Sequence, residues 1–350
     1  MTNKNFFKIN LIYFLSMLLV AIIFVLGAFG IFNNDILSSM LIQVVVMFAI
    51  PLVMYTLLVS KNVKTSFKDA GIKKISGKMV LIAVALGFVM YFINSFVADA
   101  FSSILSLFGY ENIYSAGTVK LNYSFLFKEF VLSAILPGIC EEFLHRGLLL
   151  SAGKKTGNTR LCLFISSILF GLMHLNINQF FYASILGFLM GYVALISDSI
   201  IPTMIIHFMN NFLSSYFYYG KYMNWPVAVF ANYISKILSS NVLLFTIITT
   251  ASVLALISLF ILLTRAMLRE RAKNDAIKII NALKLENLTI IEAQQRINQA
   301  NIILENSKSA KFSNTVKAGK NANFVDKIFM YSSLVLGGII TISSFIWGII

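Results

Sequence analysis

Nine apolar stretches of about membrane-spanning length dominate the chain, and no other feature limits its fold as tightly. They lie at roughly 10–32, 36–59, 79–98, 125–150, 161–176, 179–197, 201–219, 241–264 and 328–350. A run of about 20 mainly apolar residues matches the hydrocarbon thickness of a bilayer. Inside a bilayer each backbone polar group needs an internal partner, so helices are the natural solution. Composition agrees: 58% of residues are hydrophobic and 12% charged, with a mean hydropathy of +0.83. A soluble domain carries about 25% charge, so soluble and disordered readings are both excluded. The expected fold is all-α, a polytopic transmembrane bundle of eight to nine spans. A small cytosolic helical segment is expected before the last span.

The first stretch follows Lys4 and Lys8, as a secretory leader would. Its apolar core exceeds 20 residues and no small-x-small cleavage pattern follows, so it reads as a retained anchor. With the N-terminus inside, the inside segments are 1–9, 60–78, 151–160, 198–200 and 265–327. They hold 23 basic residues, against three (Lys120, Lys221, Lys236) in the outside loops. Cytosolic loops carry such an excess, so the expectation is a multi-pass cell-membrane protein with a cytosolic N-terminus and an extracellular C-terminus. The chain divides accordingly. Residues 1–124 carry N-terminal spans and the basic loop 61–78, which is expected to lie along anionic lipid. Residues 125–220 form a core, 221–264 a span, 265–327 a charged cytosolic segment and 328–350 the last span. Within 265–327, two short amphipathic helices are expected at 275–285 and 289–304, the second opened by Thr289 and Glu292 in capping-box spacing. A flexible tether is expected at 306–323. Cys140 and Cys162 both lie in apolar surroundings and give no disulfide framework.

Ionisable groups within spans are costly and mark functional positions. Here they are few. Asp99, Lys128 and Glu129 fall near span ends. Glu141, Glu142, His145 and Arg146 cluster in the fourth span, His174 lies in the fifth and His207 in the seventh. Glu142 and Arg146 are four residues apart, on one helix face, where an ion pair can form. Glu141 lies about 100° around the helix and has no assigned cation. His207 with Asn211, and Phe170 with His174, repeat the four-residue spacing. Three helices thus present a carboxylate, an imidazole, and an imidazole plus an amide. Peptide hydrolysis needs a base to take a proton from water and donors to hold the oxyanion. Glu141 suits the first role, and His207 with Asn211 the second. A His₂Glu zinc site built from Glu141, His174 and His207 is the competing arrangement. The chain has no HExxH helix, the strongest zinc-hydrolase signal. Gly187 and Gly191 form a GxxxG that serves either internal packing or dimerisation.

At these residues the chain resembles the CPBP group of intramembrane proteases. That group includes type II CAAX prenyl endopeptidases and the bacteriocin self-immunity proteins, also called Abi. The group's EExxxR motif matches Glu141-Glu142-Phe-Leu-His-Arg146, its FxxxH matches Phe170 to His174, and its HxxxN matches His207 to Asn211. All three stand in order on successive apolar helices, and the resemblance covers roughly 125–215. It implies an intramembrane endopeptidase in which Glu141 activates water and His174 assists. His207 and Asn211 would stabilise the oxyanion, while Glu142, Arg146 and Phe170 support the site. A metal-free route is favoured, because Asn211 is a better oxyanion donor than a ligand; zinc is the alternative. His145 lies outside the motif and is expected to face lipid headgroups or to pair with Glu141.

The expected partners are membrane lipid and a membrane-associated peptide or protein substrate. No nucleic-acid signature is present. A second reading makes the chain a non-catalytic scaffold or immunity partner of another membrane or cell-wall enzyme, engaged through 265–350.

Overall fold

The computed structural model describes residues 3–31, 35–111, 122–154, 158–283, 290–308 and 324–349. The described residues are helical, with no strand among them. We label the helices α1 (Asn3–Ala28), α2 (Ile36–Ser60), α3 (Val63–Asp69), α4 (Gly77–Leu107), α5 (Tyr123–Gly153) and α6 (Thr159–Leu172). They continue as α7 (Ile177–Ser197), α8 (Ile201–Gly220), α9 (Pro226–Ser239), α10 (Val242–Leu283), α11 (Ile290–Lys308) and α12 (Phe324–Trp347).

Helices stand at all nine expected positions, but among the described residues seven are long and apolar enough to cross a membrane: α1, α2, α4, α5, α7, α10 and α12. The other two fall short for different reasons. Helix α6 has 14 residues, about 21 Å at 1.5 Å per residue against a hydrocarbon core of about 30 Å. Helix α8 is diluted by His207, Asn210, Asn211 and two serines. Both are nonetheless held inside the bundle, with α6 between α7 and α12 and α8 between α4 and α5.

The two ends of the bundle are defined by contacts. At one end Lys8 Nζ donates to Leu58 O at 2.9 Å and Asn10 Nδ2 to Asp326 O at 3.1 Å. There too, Ile200 N donates to Gly71 O at 3.1 Å, and Lys73, Lys154 and Arg271 gather on Asp198. Each of the five segments with the inside assignment therefore has residues at this end. At the opposite end Glu111 N donates to Gly348 O at 2.8 Å. The two ends of the described chain, near Asn3 and Ile349, accordingly lie at opposite ends of the bundle.

Two expectations need correction. The span at 241–264 and the amphipathic helix at 275–285 are one continuous helix, α10, 42 residues long. No Gly or Pro interrupts that sequence, so nothing breaks the helix where the apolar stretch gives way to charge. Helix α9, within the 221–264 region, was not anticipated as a separate element; Pro226 opens it at N1. Glu292 lies in the first turn of α11, while Thr289 and most of the tether at 306–323 fall outside the described residues.

Candidate active site

The site is built around a distortion in α5. Residues Val131–Ile135 and Phe143–Leu150 of this helix are π-helical, as are Leu41–Ala49 and Thr56–Ser60 of α2. The stretches at 41–49 and 131–135 each lie just before a proline, Pro51 and Pro137. Proline lacks the N–H that would continue the regular ladder, and a widened turn accommodates the gap. These two distorted helices pack on one another, and there Gln43 Nε2 donates to Glu141 Oε1 at 2.8 Å.

Past Pro137, every residue from Cys140 to Leu150 is buried, Glu141 being the most exposed of them at 9%. A helix buried on all sides has no polar face to offer. His145 therefore meets neither headgroups nor Glu141, contrary to expectation. It is 1% exposed, with Nδ1 at 3.5 Å from the Tyr13 hydroxyl and its ring edge-on to Phe170, centroids 4.9 Å apart.

Glu142 and Arg146 form the expected pair. Arg146 Nη1 donates to Glu142 Oε1 at 2.6 Å, with both side chains buried. Arg146 Nη2 also donates to the Gly187 carbonyl at 3.2 Å, and its guanidinium lies 4.2 Å over the Phe170 ring. His207 comes from α8 to join the same carboxylate, its Nδ1 donating to Glu142 Oε1 at 2.9 Å. That reach depends on Gly138, where a Cβ would meet the α8 backbone at 3.2 Å (Met204 O and Phe208 N). Burying two charges is costly unless geometry and further hydrogen bonds compensate. Here the pair has an imidazole, a carbonyl and an aromatic face around it.

Phe170 is the hub. Its ring contacts His145, His174 and His207, with centroids at 4.9, 5.3 and 5.8 Å, as well as Arg146. His174 is held at the end of α6 by Nδ1 against Phe170 O at 2.9 Å. The next residue, Leu175, is buried in the left-handed region at φ 52°, a conformation costing roughly 1–2 kcal/mol for a residue with a Cβ. Asn176 then caps α7, accepting from Asn178 N and Gln179 N. This sharp reversal leaves His174 half-buried, with Nε2 free of the backbone contact. Gly187 supports the arrangement: a Cβ there would lie 3.0 Å from Phe170 Cδ1. At Gly191 a Cβ would lie 2.5 Å from Leu163. Both glycines thus face α6, so the GxxxG serves packing within the chain.

Asn211 stands apart from this cluster. Its Nδ2 donates to Ser133 O at 2.9 Å and its Oδ1 accepts from Asn210 Nδ2 at 3.0 Å. Glu141 likewise makes no hydrogen bond or ion pair with a histidine. The structure therefore joins Glu142, Arg146, Phe170, His174 and His207 by direct contact. Glu141 is held beside them by Gln43, and Asn211 by Ser133. Among the described residues no three His, Cys, Asp or Glu side chains are grouped to hold a metal ion.

Residues 123–213 match the Rce1-like family, described as type II CAAX prenyl endopeptidase Rce1-like. Over this segment the chain is CAAX protease-like. The resemblance carried by the three motifs thus holds over α5 to α8, and the family is one of proteases. No curated protein and no solved structure matches the chain. The CAAX protease-like segment excludes Gln43 and Tyr13, two neighbours of the site that a search for ionisable groups passed over. A single polar residue within an apolar stretch was the available signal for each.

Proposed function

We propose that the chain is an intramembrane endopeptidase that hydrolyses a peptide bond in a membrane-associated protein or peptide. The observation that supports this reading best is the Glu142–His207 contact, braced by Arg146. It ties the third motif to the first deep within an apolar bundle.

In this mechanism Glu141 takes a proton from water as the water attacks the scissile carbonyl. Gln43 occupies Oε1, leaving Oε2 as the proton acceptor. His174 positions the water through Nε2. The tetrahedral oxyanion is held by His207 and Asn211. Glu142 accepts from His207 Nδ1 and so fixes the orientation of the ring. Asn211 has one amide hydrogen beyond the one given to Ser133. Glu141 then returns its proton to the departing amine, so the proton balance closes. No step requires a metal. The membrane orientation, with the N-terminus cytosolic, belongs to this proposal, as does the identification of the lipid environment as the cell membrane.

The test is cleavage of membrane-inserted peptides by the purified full chain, with Glu141→Ala and His174→Ala alongside. A positioned general base is worth about 10²–10⁴ in rate, so Glu141→Ala is expected to lose at least 100-fold. Unchanged processing in both variants would sink the proposal. A scaffold role remains the second reading, favoured by α10 and α11, which lie wholly outside the matched segment. It predicts a co-purifying membrane partner that survives Glu141→Ala.

A further inference from the structure

Beyond the site above, a cavity of about 210 Å³ opens at the end of the bundle that bears the basic segments. It lies between the end of α3, the end of α5 and the turn from α7 to α8. Its polar lining includes Lys68, Lys73, Lys154 and Asp198, with Arg146 and Ser151 on the side towards the bundle. We propose that this cavity binds a phosphate-bearing anion. A lipid headgroup and soluble phosphate share that chemistry.

Charge is the first argument. Asp198 is the turn residue between α7 and α8, at φ 53°, a conformation that Asp tolerates better than most residues. It receives three cations: Lys73, Lys154 Nζ at 3.3 Å and Arg271 Nη2 at 3.9 Å. The second acid in the wall, Asp69, accepts the Tyr55 hydroxyl at 3.0 Å. Lys68 is exposed and makes no ion pair among the described residues. Arg146 is answered by Glu142 within the bundle. Arg271 is shared with Asp275 at 3.3 Å, so the lining itself sets Lys68, Lys73 and Lys154 against Asp69 and Asp198, an excess of one. A phosphate ester supplies one to two negative charges and strong acceptor oxygens.

Preorganisation is the second argument. Arg271 is held by the carbonyls of Leu195 and Ile196 at 3.2 and 3.0 Å, and Ser199 Oγ donates to Lys73 O at 3.0 Å. The Arg271 guanidinium and the Lys73 backbone are thus held in place before any ligand arrives, which lowers the ordering cost of binding. Leu150, Ala194 and Ile200 supply an apolar wall suited to the glycerol end of a headgroup. Basic recesses between spanning helices on the cytoplasmic side are a known means of holding anionic headgroups.

The experiment uses the full chain in nanodiscs of phosphatidylcholine alone, or with about one-fifth phosphatidylglycerol. Native mass spectrometry reads the retained lipid, and inorganic phosphate is titrated into the phosphatidylcholine discs in parallel. Lys68→Glu with Lys154→Glu alters the cavity. Lys64→Glu with Lys74→Glu makes the same charge change on exposed lysines outside it. Retention of phosphatidylglycerol that falls at least tenfold in the cavity pair, and not in the control pair, supports the site with a lipid source. Phosphate binding with the same variant pattern supports it with a soluble source. Equal losses in both pairs, or no variant-dependent binding of either probe, overturns it. Should the Glu pair fail to fold, Lys68→Ala with Lys154→Gln carries the same comparison.

Discussion

Helices α7 and α10 are both apolar spans, yet they are used in opposite ways. Over half of the apolar window of α7 (56%) is buried within the protein, against 6% of that of α10. Helix α7 places Gly187 and Gly191 against α6 and gives a carbonyl to Arg146. Helix α10 turns Leu254, Ile257 and Leu262 outward, and its specific contacts come from its charged end, Glu270 and Arg271. Lipid tails are as apolar as leucine, so burying a leucine between helices gains little in a membrane; close packing and polar contacts hold such helices together. The difference teaches that apolar content places a helix in the membrane, while small and polar residues decide which helices build the core.

Four comparisons, one of them between two glycine variants, would break or sharpen that contrast. The largest expected effect is Arg146→Ala, which strands the buried Glu142 carboxylate. Removing one partner of a buried pair costs about 3–5 kcal/mol, read as a lowered unfolding midpoint in detergent; a loss below about 1 kcal/mol would show the pair to be solvated. Next is Gly187→Ala, whose methyl group would press on Phe170. Overpacking of this kind costs about 1–3 kcal/mol. Gly338→Ala in α12, where nothing lies within 4 Å of the added Cβ, should be neutral or stabilising by less than about 1 kcal/mol. A similar loss at both glycines would remove the distinction between core and periphery.

The third change concerns Asp198. Burial raises the pKa of its carboxyl, but the hydrogen bond from Lys73 and the charges of Lys154, Lys73 and Arg271 outweigh that, and the net direction is downward. A depressed carboxyl contributes stability that is fully present above the ordinary value, near 4, and is lost as pH falls through the lower folded value. Asp198→Asn should therefore lower the unfolding midpoint at pH 7 and remove part of its acid dependence below pH 4. A variant whose midpoint still tracks the original across that window would contradict the assignment. The smallest effect is expected for Leu254→Ala on the lipid-facing side of α10, within about 0.5 kcal/mol by the same unfolding measurement.

How much of this was legible in the sequence follows from the same physics. Helix positions were readable because apolar run length is a direct demand of the bilayer. The motif residues were readable because a charge within such a run is rare. Three things were not readable. Periodicity gives no sign that α5 is buried on every side from Cys140 to Leu150, and so His145 was misplaced. Neutral polar residues such as Gln43 and Tyr13 cost too little to stand out among apolar neighbours, though Gln43 holds the Glu141 carboxylate. The continuity of α10 was hidden because a change from apolar to charged sequence looks like a boundary, whereas the backbone ladder needs only the absence of Gly and Pro.

The account's central claim is that the buried cluster on α5, α6 and α8 activates water. Incubating the full chain with a membrane-inserted peptide substrate in oxygen-18 water tests it most directly. The expected result is a new peptide carboxylate carrying one oxygen-18 atom, formed by the unaltered chain and lost with Glu141→Gln while the fold persists. Equal label incorporation with and without Glu141 would contradict it.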